Sequence, residues 1–380
     1  MVYLDSAATT AVRREVLEAM WPYMTAEFGN PSSHHSLGEA AAKALKETRA
    51  TIAQILGCRA SEIIFTSGGT EADNLAIKGI ALAAPRGRHI VTSAIEHEAV
   101  LESCGYLHRH HGFEITYLPV DRHGVIALDQ AAAAIRSDTT LCSLMLANNE
   151  VGTIQPIHQL AEIAHVAGVP LHTDAVQAAG ALDLNIGKLG VDALSLSGHK
   201  FGAPKGTGLL YLRGRLTIEP VLHGGGQERG RRSGTESVAG AVALAKALQL
   251  AEASRVESAQ RLSRLRDDFI AAVLSAVPTA ILTGDPERRL PGCASFCFPE
   301  TSGEAVLLYL EQHEIICSSG SACAAGADRP SHVLLAMGFA PEVAQTAVRF
   351  TLSEGTTAEE LSVVARTIRD AIHSLTRIAG

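Results

Sequence analysis

The chain has 380 residues, 47% of them hydrophobic and 19% charged, a balance that is typical of a globular enzyme with about two domains. Its net charge of −8 is spread without a basic block, which argues against direct binding of nucleic acid. No apolar run approaches the roughly 18 residues of a membrane span, and the first residues lack a signal-peptide pattern. Seven scattered cysteines indicate free thiols in a reducing compartment, so we expect a cytoplasmic protein.

Strand and helix patterns alternate along the first part of the chain. Strands are predicted at 62–66, 89–92, 113–117, 140–145, 169–172 and 191–196, with helices at 40–56, 71–83 and 157–167. This alternation predicts an α/β fold with a mostly parallel sheet between helices. A long helix at 237–273 leads to strands at 280–282, 294–298 and 348–352 and helices at 303–313 and 357–378. We predict a large domain over 15–255 and a small α+β domain formed by 1–14 with 256–380.

Lys200 and Asp174 each follow a predicted strand. Lys200 closes Ser-Gly-His-Lys before a glycine-rich turn, where partial desolvation would let its amine form a Schiff base. A carboxylate at the end of a neighbouring strand could keep a pyridine nitrogen protonated. The pair matches what pyridoxal phosphate requires of a protein. The alternative is a surface lysine and an aspartate that caps a helix.

Two glycine-rich segments are candidates for phosphate binding. In Thr66-Ser-Gly-Gly-Thr-Glu71, glycines would let an anion approach the N-terminus of the following helix. A plain N-cap with Glu71 in the first turn is the alternative. The segment 223–235 carries three arginines. It could be a solvated loop, or it could bring positive charge to a phosphate or across a subunit interface.

From Ser318 to Gly326 every residue is Ser, Gly, Ala or Cys, and Cys323 stands in the middle. Such a segment buries little apolar area, so we expect it to be mobile. Its thiol could then reach a substrate inside the protein and an acceptor outside. The alternative is an incidental cysteine in a loop of small residues.

In this order and spacing, these segments resemble the cysteine desulfurases of the NifS/IscS kind, which belong to the class V aminotransferase group. The similarity covers nearly the whole chain, and it also includes Tyr3–Asp5, Ala7–Thr10, Gly29–Ser33, Glu96–His97, Asn148–Gly152, Arg232–Thr235 and Arg349–Phe350. The resemblance implies a fold-type I enzyme, with the sheet of the large domain between helices, and pyridoxal 5'-phosphate as cofactor.

The resemblance also implies a role for each candidate residue. Lys200 would be the Schiff-base lysine, with Asp174 on the pyridine nitrogen and Gln177 on the ring oxygen. His97 would stack on the ring, while the phosphate would be bound by Gly69, Thr70, Ser197, His199 and, across a homodimer interface, Thr235. Asn149 would contact the cofactor and, with Arg349, the substrate carboxylate. Cys323 would take the sulfur.

The residues alone leave other interpretations open. His97 could merely begin a helix. Arg349 could form a structural ion pair, although an arginine in an apolar strand needs some anion. His108–His111 ends a helical stretch without a cysteine or acid at ligand spacing, so we predict no metal site.

The implied activity takes sulfur from L-cysteine and leaves L-alanine and a persulfide on Cys323, for iron–sulfur cluster assembly or for thiolation of tRNA or cofactors. A selenocysteine lyase, a class V aminotransferase and a catalytically silent sulfur-trafficking partner are the alternatives. Ser6 and Ala324 stand where the family commonly has Asn, and Thr or Ser. The chain also lacks the longer tail with which some relatives bind an iron–sulfur scaffold. The acceptor could therefore be a scaffold or a thiouridylase.

Overall fold

A computed structural model describes residues 1–83, 85–320 and 330–379, with side chains described to residue 376. Within these ranges the strands are β1 (Val2–Tyr3), β2 (Ile63–Thr66), β3 (His89–Ser93), β4 (Glu114–Leu118), β5 (Thr139–Ser143), β6 (Leu171–Asp174), β7 (Ala193–Ser197), β8 (Gly208–Leu212), β9 (Ile281–Leu282), β10 (Cys293–Cys297), β11 (Ile315–Ile316) and β12 (Ala347–Thr351). The helices are α1 (Arg14–Thr25), α2 (Ser36–Leu56), α3 (Gly69–Ala83), α4 (Glu98–His111), α5 (Leu128–Ala134), α6 (Ile157–Val166), α7 (Ile186–Leu189), α8 (Val238–Ala276), α9 (Gly303–Gln312), α10 (His332–Ala336), α11 (Pro341–Ala344) and α12 (Ala358–Ala379).

The main sheet of the described residues has the strand order β2-β8-β7-β6-β5-β3-β4. The five strands from β7 to the edge strand β4 are parallel, whereas β8 runs antiparallel to both of its neighbours. Alternate side chains of β8 enter different cores: Leu209 and Tyr211 pack with α2, α6 and α8, and Leu210 and Leu212 pack with α3 and α4. The prediction of a mostly parallel sheet between helices is therefore confirmed.

A separate antiparallel sheet, β12-β10-β9, forms a second core with α9, α12 and the C-terminal half of α8. Phe269, Phe296 and Phe350 meet there edge to face, with ring centroids 5.4 to 6.2 Å apart. β1 pairs with β11, far along the chain. The division into a large domain over 15–255 and a small domain of 1–14 with 256–380 stays a prediction.

Most predicted elements lie within a few residues of the observed ones, and the differences have local causes. α2 begins at Ser36, after His35 accepts a hydrogen bond from the backbone N–H of Gly38. The predicted start at residue 40 was late, because the first turn lacks the apolar repeat. Among the described residues, no helix is both long and apolar enough to cross a membrane.

Candidate active site

The carboxyl end of the main sheet brings Lys200 and Asp174 to one edge. β6 and β7 are parallel neighbours, with Asp174 paired to Ser195. Asp174 is the last residue of β6, and Lys200 follows the end of β7 by one 3-10 turn. In a doubly wound sheet this edge is where ligands bind.

A cleft of about 450 Å³ opens at this edge. Its wall contains the predicted residues Gly69, Thr70, His97, Asn149, Asp174, Gln177, Ser197, His199, Lys200 and Arg349. Thr235 of the same chain lies elsewhere, in a smaller pocket with Ser67 and Arg232. Cys323 lies outside the described residues. The structure therefore brings together all the other candidates.

The N-terminal segment contacts the lysine directly. Lys200 Nζ donates hydrogen bonds to the carbonyl oxygens of Ala7 and Ala8, at 2.6 and 2.9 Å. Gln177 Nε2 donates to the same Ala7 oxygen at 3.0 Å. These two hydrogen bonds fix the amine in the cleft wall.

The turn before α3 approaches β8 so closely that only glycine fits there. A Cβ atom on Gly208 would lie 2.6 Å from the Cα atom of Gly68. α3 begins at Gly69, so its unpaired N–H groups and its dipole are available to an anion. Glu71 also caps this turn, because its Oε2 accepts a hydrogen bond from Ser67 N at 2.7 Å. The cap therefore exists and does not exclude anion binding, which stays a prediction.

Asp174 is 7% exposed, and its Oδ1 accepts a hydrogen bond from Val176 N at 2.9 Å. Burial raises the pKa of Asp174, and the charges of His97 and Lys200 oppose that rise. Asp73, from α3, is buried nearby, and burial together with the charge of Asp174 raises its pKa too. Buried carboxylates are stable only beside a positive or donating partner. A protonated ring nitrogen would be such a partner.

His97 is the N-cap of α4, and its Nδ1 accepts a hydrogen bond from Ala99 N at 3.1 Å. The neutral ring must therefore carry its proton on Nε2. The interpretation that His97 begins a helix is therefore confirmed. The ring also lines the cleft, so the capping role does not exclude a role in the site.

Two buried glutamates in the cleft wall were not predicted. Glu96 is 1% exposed, and its Oε1 accepts hydrogen bonds from Ser93 Oγ at 2.5 Å and Met145 N at 3.0 Å. Burial raises the pKa of Glu96 to about 8. Glu150 accepts a hydrogen bond from Ser331 Oγ, and burial raises its pKa as well. Each glutamate directly neighbours a candidate residue and lies in a segment that carries the family resemblance, but no role was predicted for either.

Arg349, in β12, is 2% exposed and its side chain donates three hydrogen bonds, of which the longest runs from Nη1 to Gly320 O at 3.5 Å. Its Nη1 donates to Asn149 O and its Nη2 to Asp5 Oδ1, both at 2.8 Å. The structural ion pair considered for this arginine therefore exists. Its Nε has no hydrogen-bond partner among the described residues. A buried donor without a partner is costly, so this guanidinium suits a bound carboxylate.

Comparisons with known proteins agree with this geometry. The family model for aminotransferase class-V matches residues 2–364. Cysteine desulfurase IscS of Dictyoglomus turgidum is 47% identical, over 100% of this chain and 96% of that protein. Cysteine desulfurase NifS of Azotobacter vinelandii is 44% identical, over 100% of this chain and 94% of that protein. The chain belongs to the cysteine desulfurases.

Solved structures agree with this membership of the cysteine desulfurases. A NifS-like protein superposes with a TM-score of 0.92 and 38% identity, covering 98% of this chain and 100% of that one. A structure titled SspA in complex with cysteine has a TM-score of 0.81 and 37% identity, covering 93% of this chain and 99% of that one.

Cysteine desulfurases of this family depend on pyridoxal phosphate, and so does this one. The residues of the cleft fit that cofactor. The glycine turn before α3 can accept a phosphate, and a buried acid stands where a cationic ring nitrogen would compensate it. The amine of Lys200 lies in the wall of the same cleft.

Proposed function

We propose that this cysteine desulfurase takes sulfur from L-cysteine, leaves L-alanine and carries the sulfur as a persulfide on Cys323 to an acceptor protein. The observation that supports the proposal most is the single cleft lined by Lys200, Asp174 and Arg349. An amine, a buried acid and a buried guanidinium are what an amino-acid substrate of a pyridoxal phosphate enzyme requires. A sulfur carrier without catalysis would need none of the three.

Pyridoxal phosphate, when bound, supplies an electron sink for the bonds that break in the substrate. Lys200 would hold its aldehyde carbon, Asp174 would keep its ring nitrogen protonated, and Gln177 would contact its ring oxygen. The remaining contacts would come from His97 and Asn149 at the ring and from Gly69, Thr70, Ser197, His199 and Thr235 of the partner subunit at the phosphate.

Arg349 and Asn149 would bind the carboxylate of L-cysteine. Such a contact would fix the α-carbon within reach of Lys200, whose amine would take the α-proton. Proton transfer of this kind requires the amine without its extra proton, held at a fixed position. The carbonyl oxygens of Ala7 and Ala8 hold the amine of Lys200 in the cleft wall.

Cys323 would accept the sulfur as a thiolate. A sulfur–sulfur bond would form as the bond between sulfur and the β-carbon breaks. The electron pair of the broken bond would stay on the β-carbon, which would then take up a proton to become the methyl group of L-alanine. Cys317 is the nearest competing thiol in the sequence, but burial raises the pKa of Cys317 to about 12. Its thiolate is therefore disfavoured at neutral pH.

The active protein would be a cytoplasmic homodimer. Thr235 lies outside the cleft of its own chain, which is consistent with a contact across an interface. On α1, Leu17, Trp21 and Met24 are exposed at helical spacing, and Phe28 follows them. A second copy of the chain would cover this apolar face. The sulfur acceptor would be a scaffold protein or a thiouridylase.

The test compares Cys323→Ala with the matched control Cys317→Ala. With L-cysteine and a thiol reductant, the unchanged enzyme should release sulfide and equal amounts of L-alanine, without keto acid. Cys323→Ala should keep its cofactor absorbance and its binding of cysteine but lose at least about 100-fold in sulfide release, since the thiol acts in the step itself. Cys317→Ala should keep most of the activity.

Mass spectrometry after brief exposure to cysteine should add one sulfur to the peptide that contains Cys323. Sulfur found on Cys317, or full activity of Cys323→Ala, would contradict the proposed acceptor thiol. Keto acid in place of alanine would contradict the reaction itself.

A further inference from the structure

The carboxylate of Asp5 is the counterion of Arg349, whose side chain lines the cleft. Its Oδ1 lies 2.8 Å from Nη2 of the arginine, and the two side chains are 17% and 2% exposed. The attraction between two largely buried charges is screened little by salt. Any carboxylate that binds to Arg349 must therefore share the guanidinium with Asp5.

The backbone fixes Asp5 in this position. Asp5 bridges to Thr351 of β12, the strand that carries the arginine, and Thr351 N donates to Leu4 O at 2.7 Å. Tyr3 Oη donates to Asp5 O at 3.0 Å. Since the main chain is held on both sides of the residue, the carboxylate stays beside the arginine when a ligand arrives.

The other acid near this arginine does not replace Asp5. Glu150 lies in the same cleft wall, but its contact is the hydroxyl of Ser331, and burial raises its pKa. The single ion pair of Arg349 among the described residues is with Asp5. Asp5 is therefore the acid in direct contact with the guanidinium, whereas Glu150 interacts with the charge of Arg349 without forming an ion pair.

The substrate and the product of the proposed reaction carry the same α-carboxylate. Arg349 cannot distinguish them, so tight binding of this group would hold L-alanine as firmly as L-cysteine and would add nothing to turnover. A competing carboxylate on the protein lowers the affinity for both.

We propose that Asp5 is a positioning residue that orients Arg349 and, by partly neutralising it, keeps carboxylate ligands weakly bound. The proposal rests on the proposed role of Arg349 as the carboxylate site. Asp5 would occupy Nη2, so that a ligand carboxylate binds the remaining donors of the guanidinium in one orientation.

The test measures binding to the holoenzyme by titration calorimetry, with L-alanine and with ethylamine, which is L-alanine without its carboxylate. Asp5→Asn keeps the shape and a hydrogen-bond acceptor but removes the charge. We expect L-alanine to bind about threefold to tenfold more tightly to Asp5→Asn, as loss of one repelling charge at this range predicts. Ethylamine binding should not change. If Asp5 had only a structural role, Asp5→Asn would weaken the binding of both ligands or of neither.

Ser6→Ala is the matched control, because Ser6 is the adjacent residue and its buried hydroxyl has no described hydrogen-bond partner. It should leave both affinities unchanged. If Asp5→Asn does not fold, Asp5→Ser carries the same expectation. Unchanged or weaker binding of L-alanine to the folded Asp5 variant would overturn the proposal.

Arg349→Lys distinguishes the proposed role of Arg349 from that of Asp5. Lysine keeps the positive charge but lacks the planar guanidinium that can bind a carboxylate with two hydrogen bonds. Weaker binding of L-alanine with unchanged ethylamine binding would support the role of Arg349. If Arg349→Lys leaves L-alanine unaffected, the proposed carboxylate site is wrong. If Arg349→Lys weakens L-alanine and Asp5→Asn does nothing, the role of Asp5 alone is wrong.

Discussion

Buried carboxyl groups are concentrated in the cleft wall. Asp73, Glu96, Glu150 and Asp174 all line it, and burial is the largest cause of a raised pKa for each. An acid whose pKa is raised by folding keeps its proton at a pH where the unfolded chain has lost it. The stability that it contributes is present below the unfolded pKa and is lost as the pH rises through the folded pKa.

Glu96 offers a direct measurement of this effect, since the pKa of its carboxyl is about 8 in the folded protein against an ordinary value of 4.5. Glu96→Gln imitates the protonated form at every pH. The free energy of unfolding of the unchanged protein should therefore fall below that of Glu96→Gln as the pH rises from 5 to 8, by up to about 1.4 kcal/mol per pH unit. Urea unfolding of both proteins across this range checks it. A difference that does not vary with pH would show that Glu96 is already ionised.

The sequence reveals some of these residues and hides others. Lys200 and Asp174 can be predicted because each follows an apolar run, and parallel strands bring their carboxyl ends together. Asp5 stands in a motif of the resemblance, but its partner Arg349 is 344 residues away, and no local pattern predicts the pair. Glu96 and Asp73 are polar residues whose importance comes from burial, which the sequence does not display.

At the scale of elements, the site depends on how closely the turn before α3 packs against β8. The strand β8 was not predicted, because a short apolar run after a glycine-rich turn can belong to a strand or to a buried helix. It pairs antiparallel with both β2 and β7 and so joins the edge strand β2 to the rest of the sheet. Helix α1 was also missed, since its apolar residues are largely exposed.

Gly208→Ala tests this packing, because the added methyl group would meet the backbone of Gly68 at 2.6 Å. We expect a loss of about 1–3 kcal/mol in the free energy of unfolding, typical of overpacking. We also expect weaker binding of pyridoxal phosphate, since the displaced turn leads into the N-terminus of α3, where we propose that the phosphate binds. Gly355→Ala is the control, because its new Cβ atom would have no neighbour closer than 3.8 Å. Equal stability and equal cofactor affinity of the two variants would contradict this account.

At the scale of the whole molecule, the proposed dimer can be detected by the fluorescence of Trp21, the single tryptophan of the chain. Its side chain is 65% exposed in the isolated chain, so burial by a second copy should shift its fluorescence to shorter wavelengths. We expect dilution of the apoprotein to reverse that shift as the dimer dissociates. Emission typical of exposed tryptophan at every concentration would contradict the proposed interface.

Met24→Asp should give a monomer by sedimentation, because a charge would be buried in the apolar face. Val166→Asp is the matched control, since Val166 is also exposed but is the last residue of α6 and does not belong to the apolar face of α1. A Met24→Asp protein that remains a dimer would show that another surface joins the two copies.

The pairing of β1 with β11 joins parts of the chain that are synthesised far apart in time. Ile315 is made roughly 300 residues after its partner Val2, which is about half a minute at ordinary synthesis rates. Throughout that interval Asp5 lacks both its bridge partner Thr351 and its counterion Arg349. A nascent chain thus carries an incomplete cleft until residue 349 has been made.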